Sequence, residues 1–315
     1  MKTIKVKAPA TVANLVCGFD VLGLCTKLPY DIMEVSLRND RIVCIKSADG
    51  YPLPTDPALN TAGAPLLEMI KELGQDIGFD VTIQKNIKPG SGIGSSAASA
   101  AGAVVAANHL LNYPFPKEDL VRLAMFGEKV ASGVKHADNL APCIYGGITL
   151  VRSIYPLDIV PIPAPELYIT ILHPQIELRT EDARLILRKE VSLKKAVKQW
   201  GNIAGLVAGL MKEDYGLISR SLEDVIIEPI RSVLIPGFDE VKKKCLQAGA
   251  LGGGISGSGP SVFMLSEDAQ TAAAVGEQMQ AVYERLSIPA HIYVSTINSQ
   301  GVTLMEESNY THALL

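Results

Sequence analysis

The sequence is short of three things, and each absence narrows what it can be. It lacks paired cysteines. The five present (Cys17, Cys25, Cys44, Cys143 and Cys245) are odd in number, and no two stand in C-x-x-C spacing. That excludes a disulfide framework and a cysteine zinc site, and it suits a reducing cytoplasm. It lacks an excess of positive charge. Lys+Arg 29 against Asp+Glu 33 leaves a net charge of −4, so no bulk field draws it to nucleic acid. The one basic run, Lys242-Lys243-Lys244, reads as the solvated face of a helix. It also lacks a long apolar run. The Met-Lys-Thr-Ile-Lys-Val-Lys start has no signal-like segment, and the most apolar window, Ile93 to Leu111, carries serines, Asn108 and His109. Such a window suits a buried helix and not a membrane span. There is no repeat of solenoid length and no low-complexity tail.

What is present is a chain of 315 residues, 48% hydrophobic and 20% charged. That is enough apolar material for two cores. A half-exposed strand is expected over Ile4 to Ala8, then a loop-like stretch punctuated by Pro9 and Gly18. Asn14 and Asp20 stand in that stretch among apolar neighbours. Both types are common turn formers, and both could instead project into a site as a hydrogen-bonding amide and an anion. Strands are expected over Asp31–Leu37 and Arg41–Ser47, joined by the turn Arg38-Asn39-Asp40. A helix is expected over Asn60–Leu73 ahead of Gly74, and a strand over Asp80–Ile87. A helix of small residues runs to Leu111, and another covers Lys117–Ala131. Glu128 shares the apolar face of that second helix, so it is either a helix-end acid or a buried carboxylate needing a cation. Prolines 156, 161, 163 and 165 suggest a domain boundary, placed between residues 157 and 158. Beyond it, Thr180 is expected to cap a helix through Arg184, and a long helix covers Ser192–Lys212. Residues 250–260 form a second glycine-rich loop. Strands and helices alternate to the end, which predicts an α+β sandwich.

One stretch organises the rest. Lys88, Pro89, Gly90, Ser91, Gly92, Ile93, Gly94, Ser95, Ser96, Ala97 and Ala98 form a glycine-serine loop running straight into a helix. Glycines permit sharp turns and close backbone approach, and the unpaired N–H groups of a helix's first turn attract an anion. A phosphate is the natural ligand. A Walker loop is excluded because no lysine follows Gly94. The looser dinucleotide pattern G-x-G-x-x-A does match over Gly92–Ala97, but Pro89 separates it from the strand, and another helix follows where a second strand is required.

The loop resembles that of the GHMP kinase family, named for galactokinase, homoserine kinase, mevalonate kinase and phosphomevalonate kinase. Ala8-Pro9-Ala10-Thr11 with Asn14-Leu15 and Gly18-Phe19-Asp20 is similar to the family's first motif. Gly252-Gly253-Gly254 with Ser256-Gly257-Ser258-Gly259-Pro260-Ser261 is similar to its third. Within the family the likeness is to the homoserine kinase branch. It is carried by Gly18-Phe19-Asp20-Val21-Leu22-Gly23, His136-Ala137-Asp138-Asn139-Leu140-Ala141-Pro142, Thr180-Glu181-Asp182-Ala183-Arg184 and Glu228-Pro229-Ile230-Arg231. Val12 and Val16-Cys17 depart from the usual serine and Gly-Pro, which bears on loop shape.

The resemblance implies a two-domain α+β fold, an N-terminal ribosomal-protein-S5-like domain followed by a ferredoxin-like α+β sandwich. It implies transfer of the γ-phosphoryl group of ATP to the side-chain hydroxyl of L-homoserine, a step of threonine biosynthesis, by a cytoplasmic homodimer using Mg²⁺. Homoserine is a zwitterion, so its ammonium needs an anion and its carboxylate needs donors. Asp20 suits the first, and Arg184 and Arg231 the second, with Asn14, His136 and Thr180 adding polar contacts. Ser96 and Glu128 would hold the metal, the loop amides the phosphates, and Asn60 the nucleoside. Several family members carry a catalytic aspartate eleven residues after the metal glutamate; here that position is Asn139. An amide is no base, so the hydroxyl proton is expected to leave late, to phosphate or solvent, with Asn139 orienting the hydroxyl. Asp138 is the rival base. Another GHMP small-molecule kinase, of mevalonate or sugar type, and a non-catalytic binding protein on the same scaffold are the alternatives.

Overall fold

The computed structural model describes residues 2–48, 51–178 and 180–305. Two sheets organise it. The first has seven strands. Its long members are β1 (Thr3–Ala13) and β2 (Leu22–Arg38), an antiparallel pair. The strand expected to stop at Ala8 continues through Pro9 to Ala13. A register shift between Pro9 and Thr11 accommodates a residue with no N–H to give the ladder. β3 (Val43–Ser47) does not pair with β2 across the Arg38–Asp40 turn, as its spacing suggested. α1 (Gly63–Leu73) and β4 (Gly78–Gln84) follow, and β4 inserts between the two, antiparallel to β2 and parallel to β3. Arg38 bonds both Asp40 and Asp80, which ties the crossing chain to β4.

α2 (Ser95–Leu110) lies against this sheet, and α3 (Lys117–Ser132) and α4 (Leu140–Tyr145) pack around it. Its composition has a packing reason. Ala97, Ala98, Ala100, Ala101, Ala103 and Ala106 are all fully buried. At Gly102 a Cβ would lie 2.4 Å from the Met33 sulfur. A helix buried on every side approaches its neighbours this closely only with small side chains. β5 (Ile148–Ile154) and β6 (Leu157–Ile162) complete the sheet as a hairpin against β2. Strand pairing therefore carries the first sheet to Ile162, and the expected division at 157/158 falls at the start of β6.

The second sheet contains β7 (Tyr168–Pro174). After it come α5 (Thr180–Leu185), α6 (Leu193–Lys212), α7 (Tyr215–Ser221), α8 (Glu228–Arg231) and α9 (Phe238–Gln247). β8 (Gly252–Ile255), β9 (Val262–Ser266), α10 (Ala269–Arg285) and β10 (Ala290–Thr296) follow. The order β10-β7-β9-β8 is the ferredoxin-like arrangement. Four residues of the second glycine-rich stretch, Gly252–Ile255, read from sequence as loop, are thus an edge strand. Glycine is needed there because a Cβ on Gly253 would lie 2.0 Å from the Phe263 carbonyl oxygen of the paired strand β9. β11 (Thr303–Leu304) returns to pair with β1. Residues 306–315 of the expected C-terminal domain lie outside the described residues.

A buried ion pair sits below the start of α2. Lys85 Nζ bonds the Asp31 carboxylate, the Ser95 carbonyl at 2.7 Å and Ser99 Oγ at 2.8 Å. The other Asp31 oxygen accepts the backbone N–H groups of Asn86 and Ile87, both at 2.8 Å. These bonds tie Asp31 of β2 to the end of β4 and the start of α2, the two segments that bracket the glycine loop. Removing one member of such a pair strands a charge in the core. Lys85→Met is expected to lower unfolding stability by about 3–5 kcal/mol, measured by urea denaturation. A loss below about 1 kcal/mol would show that the pair is not holding the loop's base.

Candidate functional site

The glycine loop turns through left-handed backbone at Gly90, Gly92 and Gly94, with φ of 75°, 80° and 70°. No side chain caps the start of α2, so its first amides face the cleft without a protein cap. Two contacts set the loop's height. A Cβ on Gly94 would lie 2.0 Å from Thr11 Oγ1, and one on Gly92 2.4 Å from the Gly259 carbonyl oxygen. Ser256 Oγ donates to the Gly92 carbonyl at 2.7 Å and Ser261 Oγ to the Ser91 carbonyl at 2.6 Å. The third motif therefore grips the second.

A cleft of about 1210 Å³ opens over the loop. Lys88, Pro89, Gly90, Gly92, Gly94, Ser95 and Ser96 line it, whereas Ser91, Ile93, Ala97 and Ala98 do not. The last three are core side chains. Lys88 Nζ reaches across to Gln175 Oε1 at 3.0 Å. Ser95 turns inward, its hydroxyl donating to the Ile87 carbonyl at 2.8 Å. Asn60 lines the cleft as well. Its amide donates to the Pro54 carbonyl and its own carbonyl accepts from the Ala62 and Gly63 N–H groups, so the side chain is held at the turn into α1.

Ser96 Oγ donates to Glu128 Oε2 at 3.0 Å. Burial raises the Glu128 carboxyl above its ordinary value, and the Ser132 and Ser96 hydroxyls only partly offset this. A half-buried carboxylate beside a hydroxyl, at a helix start that attracts phosphate, is a donor set of hard oxygens. Among the described residues no group of three or more His, Cys, Asp or Glu could hold a metal by itself. These two oxygens thus fit Mg²⁺ shared with a phosphate ligand, not a dedicated protein cage.

The far end of the cleft gathers the remaining candidates. Asp20 receives Arg184 through both oxygens, Nη2 at 2.8 Å and Nη1 at 3.2 Å. His136 Nδ1 stands 4.0 Å from Asp20. Burial lowers the imidazole below its ordinary value despite Asp20, so it is neutral near pH 7. Arg231 is buried, and its Nε and Nη1 donate to the carbonyls of Ala183 and Gly257. Burial, with Arg184 nearby, brings its guanidinium down to about 10, still protonated at neutral pH. Both guanidinium groups lie over the Phe19 ring, 5.6 Å and 5.1 Å from its centroid. His136 Nε2 and Arg184 Nε are buried without a hydrogen-bond partner. Buried polar atoms without a partner, lining a cleft, fit a ligand that would pair them.

Three expected contacts take a different form. Asn14, at φ 76°, accepts the Asp20 N–H and donates to the Gly257 carbonyl, so it joins the first and third motifs. Thr180 is the first residue of α5 and not its cap; its hydroxyl shares a 3.1 Å hydrogen bond with Ser258. Asn139 accepts from Thr11 Oγ1 at 2.8 Å. Its carbonyl is thereby occupied and its amide N–H groups are left to donate. Burial pushes the neighbouring Asp138 carboxyl up to about 7, with Asp20 and Glu128 acting in the same direction.

Several supporting residues carry no local sequence signal. Gln199 on α6 donates to the Cys17 carbonyl and to Asp224, and it accepts from Val225 N–H. Asp224 in turn accepts the N–H groups of Ile226, Ile227 and Glu228 ahead of Arg231. One buried amide thus joins the loop bearing Asp20 to the turn bearing Arg231. Only the distance between these segments in the chain hides it. Phe19 was visible as a motif residue, but its place under two arginines was not.

Residues 60–147 match the family described as GHMP kinases N terminal domain, and residues 206–285 match GHMP kinases C terminal. The homoserine kinase of Chlorobaculum tepidum is 46% identical over 98% of this chain and 100% of its own length. That of Chloroherpeton thalassium is 44% identical over 97% and 100%. The crystal structure of homoserine kinase from Cytophaga hutchinsonii superimposes with a TM-score of 0.93 at 49% identity, covering 97% of this chain and 98% of that one. Mevalonate kinase of L. major, solved with R-mevalonate, shares the fold at a TM-score of 0.70 and 17% identity, covering 93% and 95%. The chain belongs to the GHMP kinase family, on its homoserine kinase branch.

Proposed function

We propose that this chain transfers the γ-phosphoryl group of ATP to the side-chain hydroxyl of L-homoserine, giving O-phospho-L-homoserine and ADP. The observation that carries the reading is the Asp20–Arg184–Arg231 group at one end of a cleft whose other end is the glycine loop. One anion and two cations, with an orphaned imidazole nitrogen beside them, complement an amino-acid zwitterion. Such a ligand can enter at little electrostatic cost. Its ammonium joins Asp20 and its carboxylate joins the guanidinium groups, so the internal pair is exchanged for pairs to substrate. Mevalonate and sugars carry no ammonium and would leave Asp20 without that gain.

The reaction follows from placement. The amides from Gly90 to Ser96 cradle the β- and γ-phosphates. Ser96 and Glu128 would hold Mg²⁺, whose charge offsets that of the phosphates. Asn139, anchored through Thr11, donates toward the acceptor hydroxyl and sets its oxygen in line with the γ-phosphorus. The new O–P bond forms as the bond to the β-phosphate oxygen breaks. The hydroxyl proton leaves late, to the transferred phosphoryl group or water, as a loose transition state allows. Asp138 is surrounded by Asp20, Glu128 and Arg184, and its role is to complete the pocket floor.

A coupled ADP-release assay with homoserine, mevalonate, galactose and no acceptor tests the assignment. Turnover with homoserine alone is expected; activity only with mevalonate or galactose would overturn it, and ATP binding with no turnover would favour a binding protein. A second measurement addresses the proton. Asp138→Asn is expected to keep kcat within about tenfold, because a general base would be worth about 10²–10⁴-fold. A larger fall, with loss of a limb near pH 7, would make Asp138 the base. Stability gives an independent reading. The folded pKa of Asp138 lies above its unfolded value, so between about pH 4 and 7 the native state holds the extra proton and the wild type loses stability as pH rises. Asp138→Asn should flatten that slope in urea titrations at each pH.

A further inference from the structure

Phe19 is an aromatic side chain outside both apolar cores. It is half-buried, yet it belongs to neither hydrophobic cluster and is not among the partly buried apolar residues packed against them. A residue type that usually serves a core is here placed among charges. The Arg184 and Arg231 guanidinium carbons lie 5.6 Å and 5.1 Å from its ring centroid. Those two arginines line the cleft, together with Asp20 and Asn14, whereas Phe19 does not. It lines instead a small cavity shared with Asn14, Asp224, Glu228 and Arg231. The ring is thus a backing to the arginines and not a wall of the cleft. The chain accepts backbone strain at this turn. Asn14, Leu15, Val16 and Asp20 all have left-handed backbone, at φ 76°, 39°, 67° and 61°. Two of them are apolar and one is β-branched, and such residues avoid that region. The Gly18 N–H donates to the Asn14 carbonyl at 2.8 Å, and Asn14 Oδ1 accepts the Asp20 N–H at 3.0 Å, which holds the turn bearing Phe19.

From this we infer that Phe19 is a positioning residue for recognition of the acceptor's carboxylate. Its ring is a cation–π platform that holds Arg184 and Arg231 together without using the N–H groups a ligand needs. The inference rests on the homoserine reading above and names what sets the carboxylate specificity of that site. The physical argument is one of donors. Two guanidinium groups serving one ligand repel each other and must be offset. A further carboxylate would offset them, but it would take N–H donors and neutralise the charge that draws the substrate. An aromatic face attracts a guanidinium through its quadrupole and leaves the in-plane donors free. Those donors can then fork onto a carboxylate. Arg184 Nε, buried without a partner, is one of them. An aliphatic side chain of similar size would fill the space and lose the attraction.

Phe19→Leu tests this in the full chain, by steady-state kinetics with ADP release as the readout. KM for homoserine is expected to rise about 5- to 30-fold, while kcat and the KM for ATP hold. Propanolamine keeps the ammonium and the hydroxyl of homoserine and lacks the carboxylate. Its inhibition constant against homoserine should not move. Phe19→Tyr, which restores an aromatic face, should bring KM back toward the wild-type value. A leucine variant with wild-type KM would overturn the inference. So would an equal loss of affinity for homoserine and propanolamine, or a tyrosine variant as defective as leucine. Phe19→Met, read in the same way, replaces Phe19→Leu if the leucine variant does not fold. Wild-type protein with no homoserine turnover would instead remove the substrate assignment, and this inference with it.

Discussion

Everything in the site depends on one backbone-to-backbone contact, the approach of the loop at Gly92 to the loop at Gly259. A single added methyl at Gly92 would fall 2.4 Å from a carbonyl oxygen, so the two chains touch with nothing between them. The hydroxyls of Ser256 and Ser261 then use the carbonyls of Gly92 and Ser91 as acceptors. This contact joins the two sheets. It also fixes the distance between the end of the cleft that suits phosphate and the end that suits an amino acid. The same short segment carries Gly257, whose carbonyl is held by both Asn14 and Arg231, and Ser258, which meets Thr180. The third motif is therefore less a ligand site than a junction at which acceptor and donor subsites are brought into register.

The acceptor end shows how a site can hold strong charges without collapsing. Two guanidinium groups share the Phe19 ring and would repel each other. Asp20 relieves one, and main-chain carbonyls solvate the other. The relief is incomplete, which leaves Arg184 Nε and His136 Nε2 buried and unpartnered. Unmet hydrogen-bonding capacity is a standing cost in the free protein and becomes favourable when a ligand meets it. The acidic residues near the phosphate end are treated differently. Glu128 keeps a hydroxyl partner, and the depth of Asp138 favours its neutral form up to about pH 7. Negative charge is thus held down where phosphate must enter, and positive charge is concentrated where a carboxylate must.

Much of this was legible in residue order. The small residues of α2, the glycine loop before it, the acid on the apolar face of α3, and Asp20, Arg184 and Arg231 were all visible. Each violates the pattern of its own element: glycines in excess, a carboxylate among alanines, charges beside prolines. What was not legible were partnerships between distant segments. Asn60 and Asn14 both line the cleft, and nothing in their local sequence shows the bonds by which their amides close a turn and join two loops. Lys85 and Asp31 read as ordinary strand residues, though together they anchor the loop's base. Gln199 lies 182 residues from Cys17, and no local spacing hints at their bond.

Periodicity and the resemblance of three motifs in order were sufficient for the class of fold and the membership in a kinase family. Those properties are written in local chemistry, in which residue types stand next to which. Long-range packing settled the rest. β4 rather than β2 neighbours β3, because hydrogen-bond partners in a sheet are chosen by the whole sheet and not by the nearest turn. A glycine run becomes a buried edge strand, because the Phe263 main chain of β9 occupies the space a side chain at Gly253 would need. Asp20 faces Arg184, 164 residues away, because several contacts between the two halves, among them Asn14 with Gly257 and Gln199 with Cys17, bring the segments that bear them together.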